Sequence, residues 1–203
     1  EEFLSSAHGR DISSKASLAL DSKGKILGLR IHTLANVGAY PTMTGVAIQL
    51  MIGPWVQTSV YDIPLIDFHF TTVLTNTATT GAYRGAGRPE AIYNIERLMD
   101  EAARQSGIDR IALRRQNFVQ PQQMPYKNSM GQTYDTGNFE SIMKLLLEAD
   151  SLMQVVHAES LLSAVIEVLI SPEKARSAVI KGQLALAPHR GAARLTAKIA
   201  SEL

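Results

Sequence analysis

The stretch Thr75–Gly107, "TNTATTGAYRGAGRPEAIYNIERLMDEAARQSG", places three glycines and two arginines between Gly81 and Arg88, directly before a long amphipathic pattern. Pro89 suits a first helical turn, where its missing N–H costs nothing. Glu90 adds a negative charge where the helix dipole favours one. Ile92, Ile95, Met99 and Ala102 follow at helical spacing, so the pattern predicts a helix from Pro89 to Gln105 with those residues facing a core. Gly107 reads as its C-cap, and Asp109 as the N-cap of a shorter helix through about Arg114.

Upstream the periodicity changes from helical to strand. Ala16, Leu18 and Leu20 alternate with polar neighbours, and Asp21-Ser22-Lys23-Gly24 is a turn signal. Leu27, Leu29 and Ile31 alternate beyond it, with Arg30 and His32 on the other face, which predicts a β-hairpin. Ile66, Phe68, Phe70, Thr72 and Leu74 share a face at period two and predict a strand over Leu65–Thr75. Downstream, Asn138 opens a helix with Phe139, Ile142, Leu146 and Ala149 on one stripe. Val155 to Ile170 reads as a largely buried helix, and Ser171-Pro172 restarts another by N-cap and proline. The fold class is therefore α+β, with strand hairpins forming a mixed sheet packed by helices and a helical C-terminal tail.

All the aromatic residues, six Tyr, five Phe and one Trp, precede residue 150, as do twelve of the fourteen glycines. That shift divides the chain into 1–150 and a tail, 151–203. In bulk, 203 residues with 45% hydrophobic and 19% charged residues can bury a core. A net charge of +1 argues against a dedicated nucleic-acid or membrane-surface binder. The absence of cysteine excludes disulfides, thiolate catalysis and cysteine-held metals within the chain. No apolar run reaches the roughly 18 residues of a membrane span. Glu1-Glu2-Phe3 shows neither an initiator Met nor a basic-then-apolar leader.

A strand, a glycine loop and a helix start in succession make a cradle for an anion. Gly85 and Gly87 would let a ligand approach the backbone, and Arg84 or Arg88 could add paired hydrogen bonds to phosphate or an oxo group. The spacing is neither G-x-G-x-x-G nor a P-loop. The competing reading is a structural turn whose arginines pair with nearby carboxylates. The histidines, His8, His32, His69, His157 and His189, form no metal pair at helical or strand spacing, and none is assigned a ligand role. No nucleophile elbow or paired carboxylate stands out, and Arg114-Arg115 reads as a solvated basic face.

The run "AYRGAGRPEA", then "IALRRQNF", then "MPYKNSMGQTYDTGNF" resembles the molybdopterin-binding large subunit of molybdenum hydroxylases. These are the xanthine dehydrogenase, aldehyde oxidase and aerobic carbon monoxide dehydrogenase relatives. The upstream "AHGRD…LALDSKGKILGLRIHTLANVGAY…YDIP" is similar to the hairpin region of that family. The resemblance covers roughly residues 1 to 150 and implies that they are part of the molybdenum-cofactor-binding domain.

By position it implies that Ala82, Tyr83, Arg84, Gly85 and Gly87 bind the molybdenum–molybdopterin cofactor, with Arg84 in direct contact, and that Ala86 faces the substrate. Carbon monoxide dehydrogenases of the best-defined form carry a cysteine, serving a copper-bearing site, where this chain has Gly85. That departure points to a general xanthine- or aldehyde-type hydroxylase. The implied reaction is hydroxylation of a small aldehyde or N-heterocyclic substrate with oxygen from water. Electrons would leave through iron–sulfur clusters and FAD on partner subunits or domains, in the cytoplasm, with a periplasmic location left open. The family's general base, a glutamate, belongs to a later segment, so no catalytic residue and no metal ligand is assigned here. The chain reads as an internal piece of a large subunit, and residues 151–203 lie outside the resemblance. The alternative function is a non-catalytic α+β scaffold that does not retain the cofactor.

Overall fold

The computed structural model describes residues 6–150, 155 and 158–187. His157, His189, Gly191 and the first residues of the tail lie outside them. By internal contacts the chain divides into two compact units, Glu1–Phe139 and Glu140–Leu203.

The first unit is α+β, built on a mixed three-stranded sheet. Strands β1 (Ile12–Leu20) and β2 (Ile26–Asn36) form the expected antiparallel hairpin, and β3 (Ile66–Val73) pairs parallel to β2 in the order β1-β2-β3. The Asp21 carboxylate closes the turn by accepting from Lys23 N and Lys25 N, both at 2.8 Å. Leu29, Ile31 and Ala35 are buried as the alternation requires, but Leu27 is 49% exposed and Ile26 is buried in its place. The cause is a bulge: the register slips between Ala19↔Gly28 and Leu20↔Ile26, and one extra residue flips the phase of the strand.

A short helix α1 (Met43–Ala47), a π-helical turn (Ile48–Ile52) and the single turn α2 (Gly53–Trp55) lie between β2 and β3. The long helix α3 (Arg88–Ser106) matches the predicted span within a residue at each end, with Gly107 as a left-handed C-cap at φ 71°. It lies against β1, where Asn94 Nδ2 reaches Ser14 Oγ at 3.5 Å. Its buried stripe is Ala91, Ile95, Met99 and Ala103, whereas Ile92 is 42% exposed. Small alanines, not the bulkiest side chains, are buried at the two ends of the stripe.

Helix α4 (Arg110–Asn117) starts at Asp109, whose carboxylate accepts from Ile111 N and Ala112 N at 3.0 and 2.9 Å. Its Arg114 is not a solvated cation. The guanidinium, 15% exposed, donates to Glu96 Oε2 at 2.8 Å and Asp100 Oδ1 at 3.0 Å. Glu96 in turn accepts from Tyr61 Oη at 2.7 Å, and the Tyr61 ring, buried and stacked on Phe118 at 5.8 Å, has its hydroxyl pKa pushed up by burial and by the Glu96 charge. Asn117 is fully buried and joins helix to hairpin: Nδ2 donates to Gly24 O and Leu113 O, and Oδ1 accepts from Ile26 N, each at 2.9 Å. A small hairpin of β4 (Tyr126–Lys127) and β5 (Thr133–Tyr134) completes the unit. Tyr134 Oη donates to Ser59 O at 2.7 Å and Asn128 Nδ2 to Trp55 O at 3.1 Å.

Helix α5 (Phe139–Glu148) begins where Asn138 predicted it, with Phe139, Leu146 and Ala149 half-buried and Ile142 exposed. In the second unit, α6 (Ala158–Ile170) and α7 (Pro172–Leu186) are separated at Ser171, as the Ser-Pro signal predicts. The expected burial of the first of these is overturned: Leu161, Leu162, Val165, Ile166, Leu169 and Ile170 are all exposed. An apolar run identifies a helix that needs a partner surface, and a single sequence does not show whether one covers it. Among the described residues, no helix is long and apolar enough to cross a membrane.

Candidate functional site

The residues after β3 at first continue the parallel pairing beside the residues that follow β2. Val37 N donates to Val73 O and Ala39 N to Thr77 O, both at 3.0 Å. His8 is tied alongside, its N donating to Thr79 O at 2.8 Å and its O accepting from Gly81 N at 2.7 Å. This anchored edge delivers the loop Gly81–Arg88 to the N-terminus of α3.

Two turns shape the loop. Ala86 N donates to Tyr83 O at 2.9 Å, and Arg88 N to Gly85 O at 3.1 Å. Three successive residues have positive φ: Gly85 at 98°, Ala86 at 49° and Gly87 at 82°. For Ala86 that conformation costs of order 1–3 kcal/mol, and such outliers cluster at ligand-binding sites. The glycines have a reason that spacing did not show. A Cβ on Gly87 would stand 2.9 Å from both Cα and N of Gly53, and one on Gly85 would stand 2.6 Å from Pro89 Cγ. Their missing side chains admit the protein's own backbone and ring to the loop.

The donors lie just ahead of the helix. In the first turn of α3, Arg88 N is taken by Gly85 O and Pro89 has no N–H. By contrast, among the described residues the N–H groups of Ala82, Tyr83, Arg84, Gly85 and Gly87 donate to no protein acceptor. Ala82, Tyr83, Arg84 and Gly85 are exposed, Ala86 is half-buried and Gly87 is buried. The exposed Arg84 side chain has no hydrogen-bond or ion-pair partner among the described residues, while Arg88 Nη1 reaches only Gly85 O, at 3.4 Å. Among the described residues neither arginine is paired with a carboxylate, as the structural-turn reading would require. Thr80 Oγ1, at the foot of the loop, is buried without a partner.

One residue of the site escaped sequence reasoning. Arg10, in the "AHGRD" run, reaches across to the loop. Its guanidinium lies 4.5 Å from the centre of the Tyr83 ring, donates to Arg84 O, and pairs through Nε with Glu90 Oε1 at 2.8 Å. Its only sequence signal was a cation in a segment that resembles the family. Among the described residues, the free N–H run, the unpaired Arg84 side chain and the nearby Arg10 make a donor-rich, positively charged surface that fits an anionic group.

A second cluster was also hidden. His32 and His69, far apart in the chain, stand in register on β2 and β3 beside Asp67. Spacing along one strand could not reveal a pair formed between two.

A family model described as the molybdopterin cofactor-binding domain matches residues 1–118. The chain is 34% identical over 152 residues to the carbon monoxide dehydrogenase large chain of Hydrogenophaga pseudoflava, covering 73% of this chain and 19% of that one. It is 31% identical over 150 residues to the nicotine 6-hydroxylase large subunit of Paenarthrobacter nicotinovorans, covering 73% and 18%. Among solved structures, quinoline 2-oxidoreductase from Pseudomonas putida 86 aligns with a TM-score of 0.66 at 33% identity, covering 72% of this chain and 19% of that one. The chain spans about a fifth of the length of the curated relatives it matches.

Proposed function

The chain belongs to the molybdopterin cofactor-binding domain family, and we propose that its Gly81–Arg88 loop is one wall of a molybdenum–pterin site in an oxidoreductase. The observation that carries this reading is the Arg84 side chain, unpaired among the described residues, beside N–H groups of Ala82, Tyr83, Arg84 and Gly85 that donate to none of those residues. Residues 1–150 are part of the cofactor-binding domain in this reading, and 151–203 are a tail outside it.

When bound, the cofactor would supply oxygen transfer from water to an electron-poor carbon and would accept the two electrons released. This chain's own residues bind and orient. Arg84 presents a planar fork of donors to anionic oxygens, a geometry Lys cannot copy. The N–H groups of Ala82, Tyr83, Gly85 and Gly87 add fixed dipoles that need no reorganisation. Arg10 holds the Tyr83–Arg84 backbone through the Tyr83 ring and the Arg84 carbonyl. Ala86, half-buried and held at positive φ, faces the substrate and leaves room beside the reacting carbon. Gly85, where the copper-bearing relatives carry a cysteine, favours a small aldehyde or N-heterocycle as substrate. Iron–sulfur and FAD subunits or domains would carry the electrons away.

The test is molybdenum content and turnover of a full-length large subunit carrying this segment, assembled with its partners. Arg84→Ala removes charge-assisted bonds each worth about 1.5–3 kcal/mol, so retention falls about tenfold or more, and Arg84→Lys falls part of the way. Arg88→Ala, whose side chain touches only the loop's own carbonyl, retains far more metal. Full molybdenum and full activity in Arg84→Ala would return the loop to a purely structural role.

A second reading rests on the chain's length relative to its relatives: the 203 residues keep the fold but do not hold the cofactor alone. Molybdenum and pterin analysis of the purified chain separates the two.

A further inference from the structure

The parallel register of β2 and β3 sets Arg30 beside Asp67 and His32 beside His69. Successive strand side chains alternate, so all four project from one face of the sheet, opposite the face that buries Leu29 and Ile31. The His32 and His69 rings meet edge-on with centroids 4.7 Å apart, and His69 Nε2 lies 3.2 Å from Asp67 Oδ1. One ligand-type atom from each of His32, Asp67 and His69 falls within 4.8 Å of the other two, the only such cluster among the described residues. A tetrahedral ion with bonds of about 2.0–2.1 Å spaces its ligands about 3.3 Å apart. The His69–Asp67 edge already has that spacing, and a side-chain rotation of exposed His32 supplies the third corner.

We propose that His32, Asp67 and His69 form a binding site for a divalent metal ion of the zinc class, with water completing the coordination. The donors choose the class. Imidazole selects zinc, copper and nickel, whereas Mg2+ and Ca2+ require several oxygens. Only one carboxylate is present, and its Oδ2 is engaged by Arg30 Nε at 2.6 Å. Arg30 then serves as the outer partner that orients a ligating carboxylate. Lys15 stands in register with His32 on β1. Its charge and that of Arg30 oppose a bare cation, so the imidazole lone pairs carry the binding and hard ions are rejected. The site uses no residue of the Gly81–Arg88 loop and stands independently of the function proposed above.

The experiment is titration of the purified chain with Zn2+ in competition with a chromophoric chelator, with circular dichroism confirming that each variant is folded. The parent takes up one equivalent that Mg2+ does not displace. His32→Ala and His69→Ala each weaken binding by about tenfold or more, as loss of a ligand costs at least as much as loss of an outer partner. The double variant abolishes binding, and Thr71→Ala, on the same face, leaves it unchanged. Co2+ gives the visible absorption of a tetrahedral site in the parent and not in the double variant. A parent that binds no Zn2+, or an equivalent that survives in the double variant, overturns the proposal.

Discussion

Arg10 and Asn117 show how much of this fold passes through single polar side chains. Arg10 engages the Tyr83 ring, the Arg84 carbonyl and the Glu90 carboxylate from one guanidinium. Arg10→Ala frees the Tyr83–Arg84 backbone at a cost of about 1 kcal/mol from the ring contact alone. Amide exchange at Tyr83–Gly85 should rise several-fold, with Arg10→Lys recovering only part, because an ammonium cannot reach three partners in a plane. Unchanged exchange in Arg10→Ala would remove it from the site. Asn117 differs in being fully buried with both Nδ2 donors and its Oδ1 engaged. Asn117→Ala strands Ile26 N and two carbonyls, so urea denaturation should show a loss of at least about 2 kcal/mol. It should also loosen the hairpin turn from α4, seen as faster exchange at Ile26.

The helix α3 illustrates the difference between an amphipathic pattern and a packed face. Ile95 and Met99 are fully buried, and Ile92, at a position that fits the same stripe on paper, is 42% exposed. Ile95→Ala should therefore destabilise by about 2–5 kcal/mol and Ile92→Ala by less than about 1 kcal/mol, both read from denaturant midpoints. Equal losses would mean that the helix is rotated about its axis relative to the sheet. The same helix ends on signals that are purely local: Gly107 at positive φ, then the Asp109 carboxylate on the first amides of α4. The loop ahead of it is different in kind, since Gly87 is needed because the backbone of Gly53 lies against it.

Across the first unit, Asp62 ties three separate segments. Its carboxylate accepts from Lys25 Nζ at 3.2 Å, Tyr126 Oη at 3.0 Å and Gln123 Nε2 at 3.5 Å. Burial raises its pKa, but the Lys25 and Tyr126 hydrogen bonds outweigh burial and hold it below the usual carboxylate range. A depressed folded pKa contributes stability that is present above the unfolded value of about 3.9 and is lost as pH falls through the folded value. The chain should accordingly lose stability below about pH 4, and Asp62→Asn should flatten that limb while lowering stability at neutral pH. An acid limb of the same slope in Asp62→Asn would assign the effect to other carboxylates. The Tyr126 hydroxyl, pushed up by burial and by Asp62 itself, stays a donor throughout that range.

By itself the sequence determined the strand hairpin, the presence of the third strand, the span of α3, its C-cap, the N-cap of α4, and the glycine–arginine loop between strand and helix. These depend on turn chemistry, caps and periodicity, which act within a few residues of one another. Tertiary structure decided the rest. The bulge that exposes Leu27 depends on the register with β1. Burial of Ala91 in place of Ile92 depends on which side of the helix meets the sheet. Arg114 becomes part of an ion network only because Glu96 and Asp100 arrive from another helix. His32 and His69 become a pair only because β2 and β3 run parallel in one register. In each case a packing or pairing partner decides, and packing, unlike propensity, is not written in any local stretch.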